Sequence, residues 1–195
     1  INAVDYFNLK NDPLFSDLAS RLSSYPLESL ESEKSKLTFW INVYNILAAK
    51  MITDHYPIES IKDAGSLFKS VWKQPAGKVG GKERTLNDIE HEILRKMNEP
   101  RIHVAIVCAS VSCPDLHLEA YTVEKLNEQL DDQMKKFLQS REKGMKLDEK
   151  KNRVYLSSIF KWFKEDFESK VGVLKYISRY VSAEEKKALN DSTLK

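Results

Sequence analysis

Apolar positions recur along most of this chain at three- and four-residue spacing, which predicts a molecule built chiefly from helices. The clearest case is 33–54. Leu37, Trp40, Ile41, Tyr44, Ile46, Leu47, Met51 and Ile52 form a wide apolar face with no Gly or Pro inside it. A face that wide predicts a long, largely buried helix. His55-Tyr56-Pro57 ends it, because proline follows closely on a helix stop. Upstream, Tyr6, Leu9, Leu14, Phe15, Leu18 and Leu22 keep helical spacing in pieces broken at Pro13 and Pro26. Downstream, Leu86, Ile89, Ile93, Leu94 and Met97 predict a helix with Thr85 as its N-cap and Asp88 in its first turn. Val123, Leu126, Leu130, Met134, Phe137 and Leu138 predict another over 120–139, capped by Thr122. An aromatic-rich helix follows at Ile159, Phe160, Trp162, Phe163 and Phe167, capped by Ser157 or Ser158. A further helix is predicted over 171–180, and 184–195 reads as a polar, frayed end.

Three stretches break the helical spacing. Ile102 to Cys108 is apolar at every position but His103, and its β-branched residues predict a strand buried on both faces. Period two then sets His103, Ala105 and Val107 on one face and Ile102, Val104, Ile106 and Cys108 on the other. Met145-Lys146-Leu147 and Val154-Tyr155-Leu156 predict two short strands joined by a polar turn. Val79-Gly80-Gly81-Lys82 suits a hairpin turn. The fold class expected is α+β: a helix-rich single domain around a small, mostly antiparallel sheet. It divides into a helical cap over 1–36, a core over 37–181 and a polar end over 182–195.

Composition narrows the function more than it points to one. The net charge is +2, with lysines interleaved among acids, so there is no electrostatic case for nucleic acid. The longest apolar stretches fall far below the roughly 18 residues of a membrane span. GxxxxGK[ST] is absent, and two cysteines five apart match no common zinc spacing, so no cofactor or metal is expected. A metal site from His91, His103, Glu90 and a cysteine has no support in spacing. The chain begins at Ile1, compatible with a mature chain whose signal peptide has been removed and which is periplasmic or secreted; compartment and oligomeric state are not legible.

Reactive groups concentrate in 101–116, RIHVAIVCASVSCPDL. Pro114 suits the first position of a helix, which would make Cys113 its N-cap. A thiol there feels the positive end of the helix dipole and leans toward thiolate. Cys108, in the apolar run, is chiefly a small buried hydrophobe. Asn42 and Asn45 sit within the apolar face of the long helix, where buried amides must be hydrogen-bonded, either to pin backbone or to serve a site. Glu90 and Arg95 are five apart, poorly spaced for an i,i+4 pair, and His91 reads as a helix-surface residue.

FWINVYNILA (39–48), TLNDIEHEILR (85–95), RIHVAIVCASVSCPDL (101–116), AYTVEKLNEQLD (120–131) and IFKWFKEDF (159–167) together resemble the successive motifs of the family catalogued as domain of unknown function 547. That family is similar in fold to the papain-like and transglutaminase-like cysteine hydrolases. The resemblance implies a cysteine-dependent hydrolase or acyl transferase acting on a peptide or amide, or another small-molecule substrate. Cys113 would be the nucleophile and His103 its base, with Glu90 or Asn42 orienting the imidazole and Asn45 or backbone amides holding the oxyanion. Arg101, His91, Cys108 and Ser112 complete the candidate site. The order His-then-Cys reverses the papain order, and asparagine stands on the long helix where a papain-like nucleophile would sit. The competing expectation is a non-catalytic binding or scaffold module. In it Asn42, Asn45, Glu90, Arg101 and His103 form a buried hydrogen-bond network, and aromatics around Phe68 and Trp72 form a partner groove.

Overall fold

The computed structural model describes residues 4–65, 70–107, 113–168 and 171–191. Two short helices, α1 (Tyr6–Lys10) and α2 (Pro13–Ser23), lead in, with Pro13 at the first turn of α2 and the Asp12 carboxylate accepting from the Leu14 amide. The long helix α3 (Glu33–His55) follows. It is opened by a capping box in which the Ser32 and Ser35 side chains each accept from the other's amide. Its buried residues lie around much of its circumference, from Leu37 and Trp40 through Val43, Tyr44 and Leu47 to Met51 and Ile52.

Among the described residues the sheet content is two separate antiparallel hairpins. Strands β1 (Pro75–Val79) and β2 (Lys82–Thr85) pair across a two-residue turn in which Gly80 and Gly81 both have positive φ, as a type I′ turn requires. The turn rests on the end of α2: the Gly80 and Gly81 amides donate to the carbonyls of Leu22 and Ser23. The Thr85 hydroxyl then accepts from the Asp88 amide, and the Asp88 carboxylate accepts from Thr85 N–H, which caps the next helix as its residues predict. That helix is wound as a π-helix over Asp88–Leu94, with the Arg95 amide reaching back five residues to the Glu90 carbonyl.

The apolar run that reads as a buried strand is instead a four-residue helix, α4 (Ile102–Ala105), followed by extended Ile106. The expectation of burial on every side holds; the expected period of two does not. Ile102 and Ala105 join one apolar cluster, centred on α3, while Val104 joins a second. A short helix wedged between two cores needs apolar residues all round, and its pattern is then indistinguishable from that of a doubly buried strand. Helix α5 (Leu126–Gln139) spans the same divide: Leu126 and Leu130 face the first cluster, Met134, Phe137 and Leu138 the second. It starts later than its spacing predicts: Gln129 ties down the irregular stretch 120–122, its side chain donating to the Ala120 carbonyl and accepting from the Thr122 amide, and a turn over 123–125 precedes the helix.

The second cluster is completed by β3 (Met145–Asp148) and β4 (Arg153–Leu156), close to the predicted strands, and by α6 (Ile159–Trp162), α7 (Lys164–Glu168), α8 (Val173–Ile177) and α9 (Ala183–Leu189). The single aromatic helix expected from 159 onward is split at Phe163. Within the end expected to fray, Ala183–Leu189 forms α9: Ser182 and Glu185 form a capping box, and Leu189 is buried in the second cluster, while 192–195 lie outside the described residues. The result is a helix-rich α+β domain with two small antiparallel sheets. Among the described residues no helix is long and apolar enough to cross a membrane.

Candidate functional site

The polar residues of the candidate site do not converge on one place: His103 bonds Asp166, whereas Cys113 lines a pocket whose lining does not include His103. His103 lies on α4 with its side chain 1% exposed. Its Nε2 is 2.7 Å from Asp166 Oδ2 on α7, and its ring stacks on Phe163, centroids 3.8 Å apart. Asp166 is gripped from the other side by Arg95, whose Nε and Nη2 donate to its two carboxylate oxygens at 2.7 and 2.8 Å. Bidentate geometry of this kind is the strong form of the pair. Arg95 Nη1 also donates to His91 Nδ1 at 3.1 Å, and the guanidinium lies over Phe163.

Burial pushes His103 down to about 4, against the upward pull of its bond to Asp166. The ring is therefore neutral at pH 7, its proton on Nε2 facing the carboxylate. Nδ1 is buried with no hydrogen-bond partner. Burial works against ionisation of Asp166 too, but the bonds from Arg95 and His103 win and hold it below the ordinary carboxylate range. Burial and the neighbouring Arg95 charge both lower His91.

Glu90 joins this cluster through the π-helix. A separation of five, unfavourable in an α-helix, matches the π-helical turn, so Arg95 exerts a downward pull on the Glu90 carboxyl. Burial dominates and pushes Glu90 up to about 7, opposed by the Tyr44 hydroxyl, which donates to Oε2 at 3.4 Å. Tyr44 is itself pushed well up, first by burial and then by Glu90.

Asn42 and Asn45 bind backbone. The Asn42 side chain exchanges two bonds with the amide and carbonyl of Tyr121. Asn45 does the same across the end of α4, donating to the Ala105 carbonyl at 2.9 Å and accepting from the Val107 amide at 2.8 Å. Arg101 bonds Glu99, Asp131 and Asn127; burial lowers its pKa, but the Glu99 and Asp131 carboxylates outweigh that and raise it.

Cys113 corrects the expectation of a helix N-cap. Residues 113–117 take no helical conformation, so Pro114 starts no helix and Cys113 caps none. The segment is tied instead to α5 and the following turn: Gln133 donates to the Asp115 carbonyl, and Lys143 pairs with the Asp115 carboxylate at 2.5 Å. Cys113 is buried and disulfide-bonded. It lines a pocket of about 280 Å³ with Arg141, Tyr155, Leu156 and Trp162. Cys108, Ser112 and Phe68 lie outside the described residues. Trp72 packs against the first cluster, so it is not the exposed groove aromatic expected of it. Among the described residues no group of three or more His, Cys, Asp or Glu is placed to hold a metal ion.

Sequence reasoning missed Asp166, Arg95 and Tyr44. Asp166 sits 63 residues from His103, inside an aromatic run. The available signal was a carboxylate flanked by Phe163 and Phe167 in a segment otherwise destined for burial.

No curated protein and no solved structure matches the chain. A family model described as "Protein of unknown function, DUF547" matches residues 27–138, more than half of the 195 residues. That match takes in α3, both asparagines, the π-helix, His103 and Cys113, and the chain belongs to the DUF547 family.

Proposed function

We propose that this domain is a non-catalytic binding module, one that keeps a papain-like shape without the chemistry of a cysteine hydrolase. The observation that carries this reading is the disulfide-bonded state of Cys113. A sulfur held in a disulfide has no thiolate to attack a carbonyl. Two further facts support it. His103 is turned to Asp166, and Asn42 and Asn45 spend their amides on backbone. The binding surface is then the pocket over Cys113, where Trp162 and Tyr155 are 67% and 47% exposed. Iodoacetamide labelling read by mass spectrometry tests the reading. The expected result is no Cys113 adduct without reductant and, after reduction, labelling with an ordinary midpoint near ~8.5. Rapid alkylation of the reduced protein below neutral pH, abolished by His103→Ala, would overturn it.

One observation favours a second reading. A carboxyl near 7 and a neutral, carboxylate-anchored imidazole, each of which feels Arg95 and Asp166, are groups suited to proton transfer. In that reading Glu90 exchanges the proton, Asp166 fixes the His103 ring and Cys113 takes no part. Turnover of a chromogenic ester or amide, with a pH profile that inflects near 7 and flattens in Glu90→Gln, would support it; absence of turnover in the intact protein would remove it.

A further inference from the structure

Among the described residues no strand pairs with the outer edge of the hairpin β3–β4, beside the Cys113 pocket. Met145 pairs with Leu156, Lys146 with Tyr155, Leu147 with Val154 and Asp148 with Arg153. One step beyond, the Ser157 amide donates to the Gly144 carbonyl at 2.8 Å, so Gly144 and Ser157 form a hydrogen-bonded pair. Antiparallel pairs alternate between bonded and non-bonded. Lys146–Tyr155 and Asp148–Arg153 are therefore the bonded pairs. The N–H and C=O groups of Val154 and Leu156 consequently point away from β3, and the sheet has no third strand among the described residues to receive them.

This edge borders a pocket and carries an exposed aromatic. Tyr155 and Leu156 line one side of the pocket, and Cys113 and the exposed Trp162 line others. It is also basic. Residues 141–164 carry eight Lys and Arg against three Asp and Glu, in a chain whose net charge is only +2. Lys143, Lys151 and Lys164 have acidic partners, to Asp115, Asp148 and Glu168. Arg141, Arg153 and Lys161 form no ion pair among the described residues. Lysine-rich edges commonly keep other strands away, but repulsion alone gives no reason for two large aromatics exposed beside a pocket.

We propose that the outer edge of β4 takes up an acidic peptide in extended conformation, which pairs with Val154 and Leu156 as a third strand and sets an apolar side chain between Tyr155 and Trp162. Main-chain bonds to the edge supply the strand-like pose, and alternate side chains supply selectivity. Acidic residues of the peptide meet Arg141, Arg153 and Lys161. The proposal rests on the reading of the domain as a binding module and names the partner of that surface.

The test uses the intact, oxidised chain and a fluorescent peptide alternating glutamate and phenylalanine, followed by polarisation. Three comparison probes are its lysine-for-glutamate counterpart, a version N-methylated at alternate amides, and oligo-deoxythymidine. Saturable binding of the acidic peptide is expected, with about tenfold or greater loss on N-methylation, on Trp162→Ala and on Arg153→Glu with Lys161→Glu. Equal binding of the N-methylated and parent peptides overturns the strand pairing. Tighter binding of the oligonucleotide than of the peptide assigns the basic, aromatic surface to nucleic acid and overturns the proposal. Mass spectrometry of the recovered peptide separates the two levels. A cleaved or acylated peptide overturns the binding-module reading, whereas an intact peptide that fails to bind overturns the β4 edge alone.

Discussion

Glu90 and His103 illustrate how two groups shifted by burial in opposite directions can hide each other's pH dependence. Glu90 is raised from 4.5 to about 7 in the folded chain, so the fold favours its protonated form. Its contribution to stability is present below the unfolded value and lost as pH rises from about 4.5 through 7. His103 is lowered from 6.5 to about 4, so its contribution is present above 6.5 and lost as pH falls toward 4. Between about 4.5 and 6.5 the two slopes oppose. Glu90→Gln removes one of them. Relative to the parent, the variant should gain about 3 kcal/mol of stability between pH 4.5 and 8, read from denaturant titrations at each pH; parallel curves for the two proteins would show that Glu90 titrates normally. Asn45 is a residue of another kind, bound at both amide atoms to the backbone of Ala105 and Val107. Asn45→Ala leaves a buried carbonyl and an amide unpaired and should cost about 2–3 kcal/mol. That both asparagines are hydrogen-bonded was legible from amides inside an apolar face. Their partners were not, since Ala105 and Tyr121 lie 60 and 79 residues away.

Among the elements, the β1–β2 turn was written in the chain and the π-helix was not. Two glycines between alternating positions specify the turn by backbone sterics, which depend on local chemistry alone. The two glycines nevertheless differ. A Cβ on Gly81 meets nothing within 4 Å, whereas one on Gly80 would lie 2.6 Å from Leu27 Cδ1. Both have positive φ. Gly81→Ala should therefore cost about 1–2 kcal/mol in strain, and Gly80→Ala about 1–3 kcal/mol beyond that; thermal melts of the two variants should rank them in that order, and equal costs would mean Leu27 yields freely. The residues of the π-helix carry a capping pair and an apolar stripe that suit an ordinary α-helix as well. The winding that forms brings Arg95 within electrostatic reach of Glu90 and, through its guanidinium, onto Asp166 71 residues away, a partner that the local sequence does not name.

Over the whole molecule, the two apolar clusters meet along α4 and α5, and the Arg95–Asp166–His103 group joins the C-terminal end of the π-helix and α4 to α7 across the same seam. The side chains of Arg95 and Asp166 are 26% and 20% exposed, so solvent screens part of their attraction. Asp166→Ala should cost about 2 kcal/mol, with a coupling energy to Arg95→Ala of about 1 kcal/mol in a double-mutant cycle. Hydrogen exchange in Asp166→Ala should show α7 and α8 opening ahead of α3; exchange that slackens evenly throughout would mean the seam is held by apolar packing alone. The sequence by itself determined the helix-rich class, the long central helix, both hairpins and the family, because periodicity and turn chemistry act over a few residues. Tertiary structure alone decided that 102–105 is a helix, that Cys113 begins no helix, and that His103 belongs to Asp166. Each of those depends on which distant surface a segment meets, and a helix and a strand enclosed on all sides write the same apolar pattern.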